Sequence, residues 1–153
     1  MIISGIDRDY IVHNDKEIKG FFSEYGFLSN FELGEVIFDG IKYPSSENAY
    51  QAAKSTDIEI RKKFTNITPS ESKKLGRKID VREDWEDVKY KIMYKIVLDK
   101  FTRNKHLGEL LISTGDKYLE ETNHWKDTIW GVFNGVGKNW LGKVLMTVRN
   151  EIS

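Results

Sequence analysis

A carboxylate at the start of a helix is well placed for chemistry, and the run Tyr43-Pro44-Ser45-Ser46-Glu47-Asn48-Ala49-Tyr50-Gln51-Ala52-Ala53-Lys54 puts Glu47 there. Ser45 or Ser46 offers a side-chain oxygen to the free amides of a helix beginning after Pro44 and running to about Lys54. Those amides carry partial positive charge, which predicts an ionised Glu47. Acids are also common in first turns with no function at all, so the pattern alone assigns none. Lys54 closes the same helix, where it either reaches a phosphate or stands exposed as an ordinary terminal lysine.

The element that delivers the chain to this helix is legible just upstream. Val36-Ile37-Phe38 and Ile41-Lys42-Tyr43 flank Asp39-Gly40, a dipeptide that favours a two-residue hairpin turn with positive φ at both central positions. With Ile18-Lys19-Gly20-Phe21-Phe22 it predicts a small N-terminal β element. Helices dominate afterwards. One is expected from Asp57 to about Phe64, and another from Thr68 to about Gly76, where Thr68-Pro69-Ser70-Glu71 combines capping-box spacing with proline at the first helical position. Trp85, Val88, Ile92, Ile96 and Val97 recur at helical spacing and predict a long helix over Asp84 to Arg103. His106 to Ser113 gives another, ended by Gly115, and Leu141, Val144, Leu145 and Val148 share one face of a terminal helix. The expected class is α+β, a helix-rich single domain over residues 1–153 with a small antiparallel β element.

Composition narrows the functional classes. The 153 residues suffice for one core without staples, and the absence of cysteine excludes disulfides and thiolate metal sites. No long apolar run crosses a bilayer and Met1 to Asp9 does not read as a secretion signal, so a cytoplasmic protein without membrane partners is expected. Net charge is zero, yet residues 54–105 hold 15 basic against 9 acidic side chains. That excess either attracts a phosphate-bearing substrate or coats helices facing water. A dedicated duplex-DNA binder carries a stronger net positive balance than this. His13, His106 and His124 lack metal-pair spacing, and Gly135-Val136-Gly137-Lys138-Asn139 lacks the glycine and hydroxyl of a phosphate loop. Neither serine at 45 or 46 sits in a nucleophile elbow.

Short motifs follow Glu47 in a distinctive order. Gly26-Phe27-Leu28-Ser29-Asn30-Phe31 lies upstream; Trp85, Met93, Lys100-Phe101, Leu110-Leu111 and Thr114-Gly115-Asp116 come after. Leu119-Glu120-Glu121, Asp127, Trp130-Gly131, Gly137-Lys138-Asn139, Leu141-Gly142 and Leu145-Met146-Thr147-Val148-Arg149 complete the series. Between about Phe21 and Arg149 the chain resembles the NADAR/YbiA-like family of N-glycosidases. Members act on ribosylamino-pyrimidine intermediates of riboflavin synthesis or remove ADP-ribose from guanine bases. The resemblance implies Glu47, Trp85 and Asp127 as central residues and a phosphorylated ribosyl or ADP-ribosyl substrate, including ADP-ribosylated nucleic acid.

Cleaving a ribosyl C–N bond builds positive charge on the sugar while a base departs and water attacks. Carboxylates serve those needs, and the reaction requires neither metal nor organic cofactor. Glu47 is the expected general base and electrostatic stabiliser. Asp127 is expected in a loop, as a second carboxylate or as the centre of an Asx turn, and Trp85 as a stacking wall or a core residue. Asn30 and Phe31 offer amide and aromatic contacts, Asn30 suiting ribose hydroxyls, a base edge or simply a turn. Glu120 and Glu121 alternate across a possible strand, so one of them faces inward, Glu120 being the expected substrate contact, and Trp130-Gly131 forms either pocket backbone or a tight bend. The alternative is a non-catalytic nucleotide or ADP-ribose binding module built on the same pocket. Oligomeric state is left open.

Overall fold

The computed structural model describes residues 10–153 and, of the first nine, the backbone of two short paired strands, β1 (Ile2–Ile3) and β2 (Ile6–Asp7). The reading of Met1 to Asp9 as no leader otherwise falls outside the described residues. Next come β3 (Val12–His13) and β4 (Glu17–Lys19), then a 3-10 segment, Ser23–Leu28. The hairpin of β5 (Leu33–Phe38) and β6 (Ile41–Ser45) follows, and Asp39 and Gly40 at its tip have φ of 48° and 79°. Both central residues are left-handed, as a two-residue turn matching the twist of the strands demands.

Six helices complete the described chain: α1 (Ser46–Ala52), α2 (Ile58–Lys62), α3 (Pro69–Gly76), α4 (Trp85–Arg103), α5 (Lys105–Ser113) and α6 (Trp140–Ile152). One short strand, β7 (Tyr118–Glu120), lies between the last two. The caps follow local chemistry. Thr68 accepts the Glu71 amide at 3.1 Å while the Glu71 carboxylate accepts the Thr68 amide at 2.9 Å, closing the capping box. The class is α+β and helix-rich, as the periodicities predict. The small sheets add a feature that local pattern does not carry: β4 pairs antiparallel with β3 but parallel with β7, about a hundred residues later in the chain.

The core lies between the hairpin, α1, α4 and α6. Every residue of α1 is buried, and this helix packs against α3, α4 and both hairpin strands. A seven-residue helix is too short to persist by itself, so tertiary packing sustains it. Within α4, Ile92, Met93, Ile96, Val97 and Phe101 form the inward stripe. Lys100 shares that stripe with 1% exposure and donates from Nζ to the carbonyls of Phe27 and Ser29 at 2.8 and 3.0 Å. Burial pulls its ammonium down to about 7. Lys100 thereby ties the turn preceding Asn30 to α4.

Candidate active site

The hairpin places Ser45 at the cap of α1, where its Oγ accepts the Asn48 amide at 3.1 Å. Asn48 in turn donates from Nδ2 to the carbonyls of Phe64 and Ile67, both at 2.8 Å, anchoring the helix start to the segment after α2. Glu47 is therefore held in the first turn, its own amide donating to the Asn30 carbonyl at 3.0 Å. Its side chain faces a cleft of about 810 Å³, which Asn30, Phe31, Asp127 and Trp130 also line. Tyr50 and Gln51, three and four residues beyond Glu47, reach the same cleft.

Two effects compete at Glu47. The helix start predicts an ionised carboxylate, yet burial pushes the Glu47 pKa upward, against a Gln51 hydrogen bond and the nearby Lys73 and Lys54; Asp127 adds to the rise. The reason lies in the packing of α1, which is buried throughout, so desolvation outweighs the pull of the helix amides. Gln51 Nε2 donates to Glu47 Oε2 at 2.6 Å. Gly76 of α3 makes room for that amide, since a Cβ there would stand 2.0 Å from Gln51 Oε1.

The facing wall is the irregular segment after β7. Asn123, 2% exposed, accepts the amides of Trp125 and Asp127 through Oδ1 at 3.2 and 3.1 Å and donates from Nδ2 to the Asp127 carbonyl at 2.9 Å. Asp127 then accepts the amides of Ile129 and Trp130 on Oδ1 at 3.0 and 2.9 Å. It thus forms the Asx turn and lines the cleft at once, one carboxylate oxygen serving the loop. Asn139 clamps the base of this wall, accepting the Glu121 amide at 3.0 Å and donating to the Leu119 carbonyl at 2.9 Å.

Trp85 is not among the cleft residues. It opens α4 at 7% exposure, its ring 5.1 Å from that of Tyr50, so it supports the wall from behind as a core residue. The aromatic surface belongs instead to Tyr50 and Trp130, joined by a 3.0 Å hydrogen bond from the indole Nε1 to the phenol oxygen, and to Phe22 and Trp125 at the rim. Trp125 and Phe31 are each 42% exposed, and Lys73 of α3 places Nζ 5.9 Å from the Phe31 ring centroid.

Of the paired glutamates, Glu121 faces the cleft. Glu120 is withdrawn, its carboxylate accepting the hydroxyls of Tyr118 at 2.9 Å and Thr122 at 2.5 Å, because the strand alternation sends it to the other side. Lys54 also lies outside the lining; its ammonium pKa is lowered by burial, against the attraction of Glu47. Gly131 stands directly behind Glu121, with a hypothetical Cβ only 2.3 Å from Glu121 Oε2, so its role is close approach. Tyr50, Gln51 and Trp125 were not singled out for this cleft by the sequence, and Lys73 only as one of the basic side chains of residues 54–105 that could attract phosphate. The spacing of Tyr50 and Gln51 from Glu47 was the available signal; for Trp125 there was none beyond its aromatic character.

The chain has well-described relatives. It is 39% identical over 135 residues to the N-glycosidase Npun_R5314 of Nostoc punctiforme, covering 84% of this chain and 86% of that protein. The N-glycosidase YbiA of Escherichia coli strain K12 is 34% identical over 135 residues, covering 85% of this chain and 83% of that one. A riboflavin biosynthesis protein, VVA0006 of Vibrio vulnificus, is 38% identical over 132 residues, or 84% of this chain, which spans only 36% of the Vibrio protein. The NMR structure of E. coli YbiA superposes with a TM-score of 0.81 at 32% identity, covering 95% of this chain and 89% of that one. The family model for the NADAR domain matches residues 12–153, and this chain accordingly belongs to the NADAR domain family.

Proposed function

We propose that this protein is an N-glycosidase that hydrolyses the bond between the anomeric carbon of a ribosyl group and a base nitrogen. The observation that carries the reading is the meeting of Glu47 and Asp127 in one cleft beside the faces of Tyr50 and Trp130. A planar base stacks on such a surface while its sugar lies against the acids. The support from the relatives is that those named N-glycosidases align over most of their own length.

Burial gives the Glu47 carboxylate a raised proton affinity, which suits a base that takes a proton from attacking water. In its ionised form the same poorly solvated charge stabilises the electron-poor sugar more strongly than an exposed acid would. Gln51 fixes the carboxylate by its 2.6 Å hydrogen bond. Asp127 commits Oδ1 to the loop amides and keeps its other oxygen for the sugar. Asn30 supplies an amide for ribose hydroxyls or a base edge, and Lys73 supplies a cation for phosphate at the cleft margin.

The substrates this arrangement fits are a ribosylamino-pyrimidine phosphate or an ADP-ribosyl conjugate of guanine, free or in nucleic acid. Each presents a planar base, a ribosyl C–N bond and phosphate. Incubating the purified protein with both, followed by mass identification of released base and sugar, tests the reading. Release from either one supports it and fixes the substrate class. Tight binding with no release from both would instead make the protein a nucleotide-binding module.

A further inference from the structure

Glu121 lines the same cleft from the opposite wall, at the end of β7, and its Oε2 is buried with no hydrogen-bond partner among the described residues. An unpaired buried carboxylate oxygen is costly, whereas one that carries a proton is a donor waiting for an acceptor. The backbone on both sides of Glu121 is fixed: its amide is held by Asn139, and its carbonyl accepts the Val132 amide at 2.9 Å. Gly131 behind it leaves no slack, since any side chain there would strike the glutamate. The carboxyl is thus aimed by construction.

Resting on the N-glycosidase reading, we propose that Glu121 is the general acid that protonates the departing base nitrogen. The C–N bond breaks with its electron pair on nitrogen, and the Glu121 O–H proton moves to that nitrogen. Water adds to the anomeric carbon and gives its proton to the Glu47 carboxylate, so the products are the free base and a sugar with a new hydroxyl. Exchange with solvent then returns the proton to Glu121 and removes it from Glu47. The electrostatics agree with this division of labour. Burial above all, then Asp127 and Glu47, push Glu121 up to about 8, with Lys73 and a hydrogen bond from the Asn123 side chain opposing, so the group holds its proton at neutral pH.

Leaving-group dependence tests the proposal. Glu121→Gln and the native protein are compared on the base-bearing substrate and on a ribosyl phosphate carrying 4-nitrophenolate, which departs without protonation. The expected result is a loss of about 10²–10⁴-fold with the base and less than about tenfold with nitrophenolate. The alkaline fall of native kcat/KM, set by an acid near 8, should also vanish in the variant. That pH profile needs only the base-bearing substrate. Glu121→Asp, with unchanged circular dichroism, should recover part of the lost rate. Equal losses on both substrates, or an unchanged alkaline limb, would overturn the assignment. A native protein inert towards every base-bearing substrate would overturn the N-glycosidase reading itself, a distinct outcome.

Discussion

The two walls of the cleft are built on different principles. The α1 wall is a short, wholly buried helix, sustained by packing against α3, α4 and the hairpin, and its acid has a fixed partner in Gln51. The opposite wall, from Glu121 to Gly131, is irregular chain shaped by the side chains of Asn123, Asp127 and Asn139, with an exposed Trp125. A buried helix yields a fixed point with little tolerance. A loop held by side-chain hydrogen bonds can change its rim residues without disturbing the core, which is where specificity is free to vary. The same contrast divides the tryptophans: Trp85 braces the cleft from inside the core, while Trp125 meets whatever enters.

Substitutions sharpen that contrast, beginning with the largest effect. Trp85→Ala removes a buried indole packed on Tyr50 and should cost about 3–5 kcal/mol in denaturant unfolding. A loss below about 1 kcal/mol would return Trp85 to the cleft surface. Asp127→Asn keeps an Oδ1 acceptor for the Ile129 and Trp130 amides, so the fold should persist while turnover falls roughly 10²-fold. Asp127→Ala should add a stability loss of about 1–3 kcal/mol from the two orphaned amides, and identical stability for both variants would remove the loop role. Trp125→Ala should leave stability unchanged and raise KM by roughly two- to tenfold, the worth of one aromatic contact. A changed unfolding midpoint with unchanged KM would place Trp125 in the structural class with Trp85.

A further effect is a slope in pH. The folded Glu121 holds its proton up to about 8 whereas the unfolded chain releases it near 4.5, so between those values the unfolded state binds fewer protons. Stability contributed by this group is therefore fully present below 4.5 and is lost as pH rises through about 8. Glu121→Gln should flatten that decline when unfolding is measured across the interval. A steeper decline in the variant would contradict the sign.

Features encoded by neighbouring residues were legible in the sequence. Asp39-Gly40 specifies its turn by backbone sterics, Thr68 and Glu71 cap α3 by mutual hydrogen bonds, and the apolar period of α4 names its inward face. The parallel pairing of β4 with β7 depends on residues far apart in the chain, and no local pattern reports it. Within the cleft, Glu47, Asn30 and Asp127 could be named, but the environment of Glu47 could not, because a first-turn acid looks the same whether its helix is solvated or buried. Alternation showed that Glu120 and Glu121 must part ways, but Glu120 was the wrong choice of substrate contact: Tyr118 and Thr122 bond its carboxylate, and Glu121 lines the cleft. Trp85 read as a stacking wall or a core residue, and the family resemblance alone favoured the wall; the fold packs its ring against Tyr50, outside the cleft lining.

The central claim is that the acid held by Gln51 on α1 drives bond cleavage, and Glu47→Gln tests it most directly. The account predicts that calorimetric affinity for the base-bearing substrate stays within about tenfold of native while single-turnover release falls by about 10²–10⁴-fold. Release at the native rate from a folded Glu47→Gln protein would contradict it.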